Sequence, residues 1–231
     1  MKSRKYRVNI AVNYCNFSNE KKQKLQDVAL SISLGNKPNN VHFYAFDYVK
    51  NVKNNTDNKS AYNINYVLKR SSKETIGNNR DLPYIKEILD CCYKVKGDVF
   101  GYINSDIILT KDFYKEFNEL RDAYFYSRYD ISEVSKESFE NKDYKIFNQT
   151  HPGADAFFFS RNWWGKNNKK INNDLIMGEC EWDFYYMKFI KEYIPNYLSK
   201  RNLFHVYHDT IWNIDSVGGK NNRNINRQLS V

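Results

Sequence analysis

Apolar residues fall into short runs separated by polar stretches, and their spacing switches between a period of two and a period near 3.6, the marks of strands and helices. Lys5 to Tyr14 alternates, with Val8, Ile10 and Val12 on one side, and predicts a first strand. Ser18 is placed to cap a helix over 19–34, in which Leu25, Val28, Ala29 and Ile32 form one stripe, with Gly35 and Pro38 ending it. A second strand is predicted over Val41 to Phe46. This strand–helix–strand opening indicates an α/β domain with a mostly parallel sheet flanked by helices. Lys50 to Ser60 reads as a polar surface loop, Tyr62 to Lys69 as a short strand and Arg70 to Arg80 as a loop. The next helix is expected from Asp81 or Leu82, with Pro83 in its first turn and Ile85, Ile88, Leu89 and Cys92 as its apolar stripe.

The stretch Asp98 to Thr110, DVFGYINSDIILT, stands out. Val99 to Ile103 is apolar throughout, as in a strand buried on both faces. Asn104-Ser105-Asp106 then interrupts it before a second apolar patch, Ile107-Ile108-Leu109. A carboxylate just past a buried strand lies where open α/β sheets place ligands. Burying a bare carboxylate is costly, and a divalent cation would offset that cost. Thr110 is placed to cap a helix, Ala123 to Tyr129 predicts a strand, and Ser132 to Asn148 reads as a charged excursion or lid. HPGAD precedes a strand at 156–159, and Trp163-Trp164 leads into a polar loop to Asp174. Ile176 to Ile194 turns from Gly178 into a helix whose first turn carries Glu179, Glu181 and Asp183, Leu203 to Trp212 predicts a late strand, and the Asn/Arg-rich stretch from Gly218 a poorly ordered tail. With no repeat and no clear linker, 1–231 reads as one domain. Its nucleotide-binding half is expected at about 1–110, its acceptor-binding half at about 111–214 and its tail at 215–231.

Composition narrows the function. The chain has 231 residues and a net charge of +9, with 16% aromatic residues. All of that charge sits in residues 1–70, which hold 13 Lys/Arg against 4 Asp/Glu. Such a basic third could attract a nucleotide diphosphate, a nucleic acid or an acidic membrane surface. Cys15, Cys91, Cys92 and Cys180 show neither zinc-ligand spacing nor a disulfide framework, consistent with reduced thiols and a cytoplasmic location. No apolar run reaches the roughly 20 residues that span a bilayer, so only peripheral membrane contact is expected.

Three polar groups follow or interrupt strands: Asn104-Ser105-Asp106; Asp155 with Glu179, Glu181 and Asp183; and His205 with His208. Together they supply ligands for a cation and a carboxylate free to act as base. Side chains three apart on a strand point to opposite faces, so His205 and His208 are expected not to share one ion, His208 being the first choice. From about Val8 to Trp212 the chain resembles GT-A-type nucleotide-diphospho-sugar glycosyltransferases. The resemblance is carried by the opening strand–helix–strand half, LPYIKEILDCCYKVKGDVFGYINSDIIL, HPGADAFFF, GECEWDFYY and the late His-bearing strand.

The resemblance implies a single Rossmann-related domain that moves a sugar from a nucleotide-diphosphate donor to a hydroxyl on a glycan or glycoconjugate, with inversion and with Mn2+ or Mg2+. By it, Asn104-Ser105-Asp106 fills the place of a D-x-D motif, with Asn for the first Asp. Asp106 and His208 would ligate metal, and Asn104 would touch ribose or a metal-bound water. Glu181 or Asp183 would be the base. Asp155 and Glu179 would contact the sugars, Trp163, Trp164 and Trp182 would stack on sugar faces or else pack in an aromatic core, and Arg80, Arg70 and Lys69 would contact the nucleotide. Two other functions compete: a sugar-phosphate nucleotidyltransferase, disfavoured because NYCNFSN lacks the glycine-rich loop such enzymes place there, and a non-catalytic carbohydrate- or nucleic-acid-binding module.

Overall fold

The computed structural model describes residues 6–14, 19–48, 64–147, 152–194, 200–208, 213 and 215–229. The strands are β1 (Val8–Val12), β2 (Val41–Tyr48), β3 (Ile64–Leu68), β4 (Val99–Ile103), β5 (Ile107–Leu109), β6 (Ala123–Ile131), β7 (Ala156–Ser160) and β8 (Lys200–Val206). They form one mixed sheet of order β3-β2-β1-β4-β7-β6-β8-β5. The pairings from β3 to β4 are parallel, as is β6 with β8, while β7 and β5 run against their neighbours.

Alternation along the strands divides the core. Val8, Ile10 and Val12 meet Leu30 of α1 (Glu20–Asn36) and Phe113 of α4 (Lys111–Lys115) on one face. Ala11, Phe100, Tyr102, Phe157 and Phe159 face the other. There they pack with α3 (Ile85–Lys94), α6 (Arg161–Asn167), α7 (Trp182–Tyr193) and α8 (Val217–Gln228). Gly101 opposes Phe158, and a Cβ there would lie 2.1 Å from the Phe157 carbonyl oxygen, so only glycine lets β4 and β7 approach this closely.

The link from β4 to β5 shapes the site. Ile103 and Ile107 are four Cα steps apart, a reach of at most about 15 Å. In a flat sheet the four strand spacings between β4 and β5 would come to about 19 Å. The sheet therefore coils back at this edge, and Asn104-Ser105-Asp106 bridges the concave side. The buried Ser33 of α1 fixes β5: its hydroxyl accepts the Leu109 N–H at 2.8 Å and donates to the Ile107 carbonyl at 3.2 Å. Those contacts satisfy backbone groups that an edge strand would otherwise leave open.

Several elements differ from the sequence expectation. Ser18 lies outside the described residues, as does the 50–60 loop, and Asn19 caps α1 by accepting from the Lys22 N–H. A short helix, α2 (Ser72–Ile76), occupies part of the expected 70–80 loop, capped by Ser71 and ended by left-handed Gly77. The following helix begins at Ile85 rather than at 81 or 82. The excursion at 132–147 contains α5 (Lys136–Glu140) and returns through an Ile131–Ile146 bridge. Trp163 and Trp164 belong to α6, α7 starts at Trp182 rather than just after Gly178, and β8 ends at Val206.

The tail is the largest correction, because Val217–Gln228 is a helix. Its Asn/Arg-rich composition predicted a poorly ordered tail, yet Gly218 is there for a packing reason: a Cβ would come 2.6 Å from Glu179 Cγ. Asn222, fully buried, bonds the Ile176 N–H and the Ile176 and Cys180 carbonyls, and Asn226 reaches the Glu181 carbonyl. These contacts clamp the turn that enters α7.

Candidate active site at the carboxyl edge of the sheet

Parallel strands of an α/β sheet deliver their following residues to one edge, where ligand crevices form. Here that edge collects Asn104 and Asp106 after β4, Asp130 near the end of β6, and His205 and His208 at and beyond the end of β8. Asp155 joins them because β7 runs the opposite way and starts there. Ligand atoms of Asp106, His205 and His208 all lie within 4.8 Å of one another. His208 Nε2 is 3.2 Å and His205 Nε2 is 3.4 Å from Asp106 Oδ2, and the two Nε2 atoms are 3.2 Å apart. The strand-parity expectation for the two histidines is thus corrected. β8 stops at Val206, so Tyr207 and His208 leave the pleat and His208 turns back toward His205.

Asp106 Oδ1 is buried and has no hydrogen-bond partner among the described residues. Burial opposes ionisation of Asp106, but His205, His208 and Arg128 outweigh it and hold the carboxyl well below the usual range. His205 shows the converse. Burial favours its neutral form, yet Asp106 and Asp130 raise its pKa to about 9.

Two residues that the sequence did not single out complete the polar core. Arg128 and Asp130 lie two apart on β6 and share a face. Arg128 Nε donates to Asp130 Oδ1 at 3.0 Å, and its Nη1 donates to Asp155 Oδ1 at 2.8 Å. Asp130 Oδ1 also meets His205 Nδ1 at 2.7 Å. An Arg and an Asp at i and i+2 within AYFYSRYDI was the available signal: opposite charges on one face of an otherwise aromatic strand.

Asn104 is committed within this network. Its Oδ1 accepts from the Tyr102 hydroxyl at 2.7 Å and its Nδ2 donates to Asp155 Oδ1 at 2.9 Å. Asp183, at the first turn of α7, is buried, and its Oδ2 accepts the Ala154 N–H at 3.1 Å. Burial first and the Asp155 charge second raise its pKa to about 6.

The remaining expected residues lie in other settings. Trp163 and Trp182 are 6% exposed. Trp163 stacks on Phe159, and Trp182 meets Tyr102 and Phe157, so both indoles are core rather than open platforms for a sugar. Glu179 is buried, accepting from Asn78 Nδ2 and from the Ser216 hydroxyl at 2.6 Å, and it ties α8 to the turn before α7 instead of facing a ligand. Glu181 occupies the N-cap position of α7 with a left-handed backbone, φ 64°, and makes no side-chain capping bond there. Arg70 pairs with Asp174 at 2.5 Å over the Tyr84 ring, and Arg80 Nη1 donates to the Gly178 carbonyl. Both arginines brace the 173–178 loop. The Lys69 backbone N–H donates to Glu87.

No protein-family profile matches the chain, and no curated protein sequence does. Among solved structures, the apo form of glycosyltransferase GlyE from Streptococcus pneumoniae TIGR4 aligns with 98% of this chain at 13% identity and a TM-score of 0.36. A second GlyE structure aligns with 98% of the chain at 16% identity and a TM-score of 0.34. The chain spans 60–61% of the length of GlyE. HddC from Yersinia pseudotuberculosis aligns over 87% of this chain and 89% of its own, at 12% identity and a TM-score of 0.34. Likenesses this distant carry no weight for activity, which has to be read from the residues at the sheet edge.

Proposed function

We propose that this chain is a glycosyltransferase that moves a sugar from a nucleotide-diphosphate donor onto a hydroxyl of a glycan or glycoconjugate. One observation carries the reading: Asp106, His205 and His208 converge at the carboxyl edge of the sheet, with one oxygen of Asp106 buried and unpartnered. One carboxylate and two imidazoles make an oxygen–nitrogen donor set suited to Mn2+, with Mg2+ the harder alternative. The unpartnered oxygen fits such an ion, since a cation would satisfy an atom that the protein leaves bare.

Asp106, His205 and His208 are the residues that would hold it. When bound, the ion supplies positive charge against the negative charge that develops on a departing diphosphate. Asp183 is the residue for the acceptor side. With a pKa near 6 it is ionised at neutral pH yet close enough to accept a proton readily, and the Ala154 N–H fixes its orientation. Glu181, two residues earlier and less buried, is the other carboxylate at this helix start. Asn104 and Arg128 both donate to Asp155, and the N–H of its chain neighbour Ala154 holds Asp183, so the cation side and the base are tied to the same short segment.

Calorimetry with uridine and guanosine diphosphates, with and without Mn2+, tests the assignment on wild type and Asp106→Ala. Wild type is expected to bind one of them at least tenfold more tightly with Mn2+, and the variant to lose that gain. Binding that ignores Mn2+, or a variant that keeps the Mn2+ gain, overturns the reading.

A further inference from the structure

We propose that Asp130 is a positioning residue that fixes His205 with Nδ1 as hydrogen-bond donor, so that Nε2 is the nitrogen that gives up its proton to a cation shared with Asp106 and His208. This rests on the reading above that those three residues hold a divalent ion. Asp130 is buried, and its Oδ1 lies 2.7 Å from His205 Nδ1. The same oxygen accepts from Arg128 Nε at 3.0 Å, which fixes the carboxylate in turn. Arg128 is held at its far side by Asp155, and Asp155 by Asn104. The carboxylate facing His205 is therefore gripped through β6, β7 and β4, not free to turn with its own side-chain torsions. Metal-bound histidines generally donate their second ring nitrogen to such an acceptor, and losing the acceptor typically weakens metal binding 10–100-fold.

Backbone register supports the assignment independently. Up to Ser127 the β6–β8 ladder pairs Tyr126 with Lys200 and Ser127 with Arg201. One extra β8 residue is then inserted, so Arg128 pairs with Leu203 and Asp130 with His205. Without that bulge Asp130 would oppose Phe204, whose side chain projects to the other face. The irregularity thus sets a carboxylate beside the one histidine that β8 aims at Asp106.

The test is Mn2+ affinity by calorimetry on wild type, Asp130→Ala and Asp130→Asn, with a long-range 1H–15N spectrum of the Zn2+-loaded wild type. Asp130→Ala is expected to bind Mn2+ 10–100-fold more weakly. Asp130→Asn, whose amide oxygen can still accept from both His205 and Arg128, should recover to within a few-fold of wild type. The spectrum should show the His205 proton on Nδ1. Because Asp130→Ala leaves Arg128 partly unpaired and can misfold, the wild-type spectrum decides the matter without a variant. A proton on Nε2 overturns the inference, as does unchanged affinity in Asp130→Ala or an Asp130→Asn variant no better than alanine. A wild type that binds neither ion overturns the cation reading itself, a different result from wild-type binding that Asp130 does not affect.

Discussion

Replacing Asp183 by Asn should stabilise this protein at neutral pH and leave it unchanged in acid. The side chain is only 8% exposed and lies near the Asp155 charge, and its pKa rises from 3.8 to about 6. Between those two values the folded state binds more protons than the unfolded chain. Stability therefore falls as pH rises through this interval and levels off above it. A rise of about two units corresponds to about 3 kcal/mol, the cost of keeping Asp183 ionised in place. Asn approximates the protonated acid in shape and retains an oxygen for the Ala154 N–H.

Urea unfolding of both proteins at several pH values from 4 to 8 measures the effect. His205, Asp106 and Asp130 titrate with shifted values of their own, so the informative quantity is the difference between the two proteins at each pH. That difference should grow from near zero at pH 4 to about 3 kcal/mol at pH 8, and raise the melting temperature at pH 8 by roughly 6–12 °C. Transfer activity should fall in the same variant, because the amide accepts no proton. A difference that does not change with pH, or a variant weaker than wild type at pH 8, would show that burial does not govern this carboxyl group.

Asn222→Ala removes three buried hydrogen bonds between α8 and the turn before α7, and is expected to cost about 3 kcal/mol by chemical denaturation. Gly101→Ala forces a methyl against the Phe157 carbonyl and the Phe158 ring, and should cost about 3 kcal/mol or more, seen as loss of soluble folded protein. Ser33→Ala strips the partner from two backbone groups of β5, with an expected cost of about 1–3 kcal/mol and a weaker Mn2+ response, because Asp106 immediately precedes that strand. Arg128→Met leaves Asp130 and Asp155 buried without their shared arginine and should destabilise by about 3–5 kcal/mol at pH 7, measurable by the same urea titration.

The elements that the sequence predicted well are those whose own burial writes a pattern. Val8, Ile10 and Val12 alternate because one face of β1 meets α1, and Val99 to Ile103 is apolar throughout because β4 is covered on both sides. Elements stabilised by polar contacts from distant residues were missed. α8 reads as an Asn/Arg-rich tail, yet Gly218 makes the close approach to Glu179 possible and its asparagines make hydrogen bonds to 176–181. Trp163 and Trp182 looked like sugar platforms because aromatic residues carry no mark of whether a core or a cleft receives them.

The chain alone determined that a carboxylate interrupts two apolar runs at position 106, that two histidines follow late, and that an α/β sheet carries them, since hydrophobic period and residue type are local properties. Tertiary structure decided which of these groups meet. The short link from β4 to β5 curls the sheet and brings Asp106 beside β8, the end of β8 at Val206 frees His208 to turn inward, and a single inserted residue pairs Asp130 with His205. Register and curvature depend on contacts between residues tens of positions apart, and no local pattern encodes them.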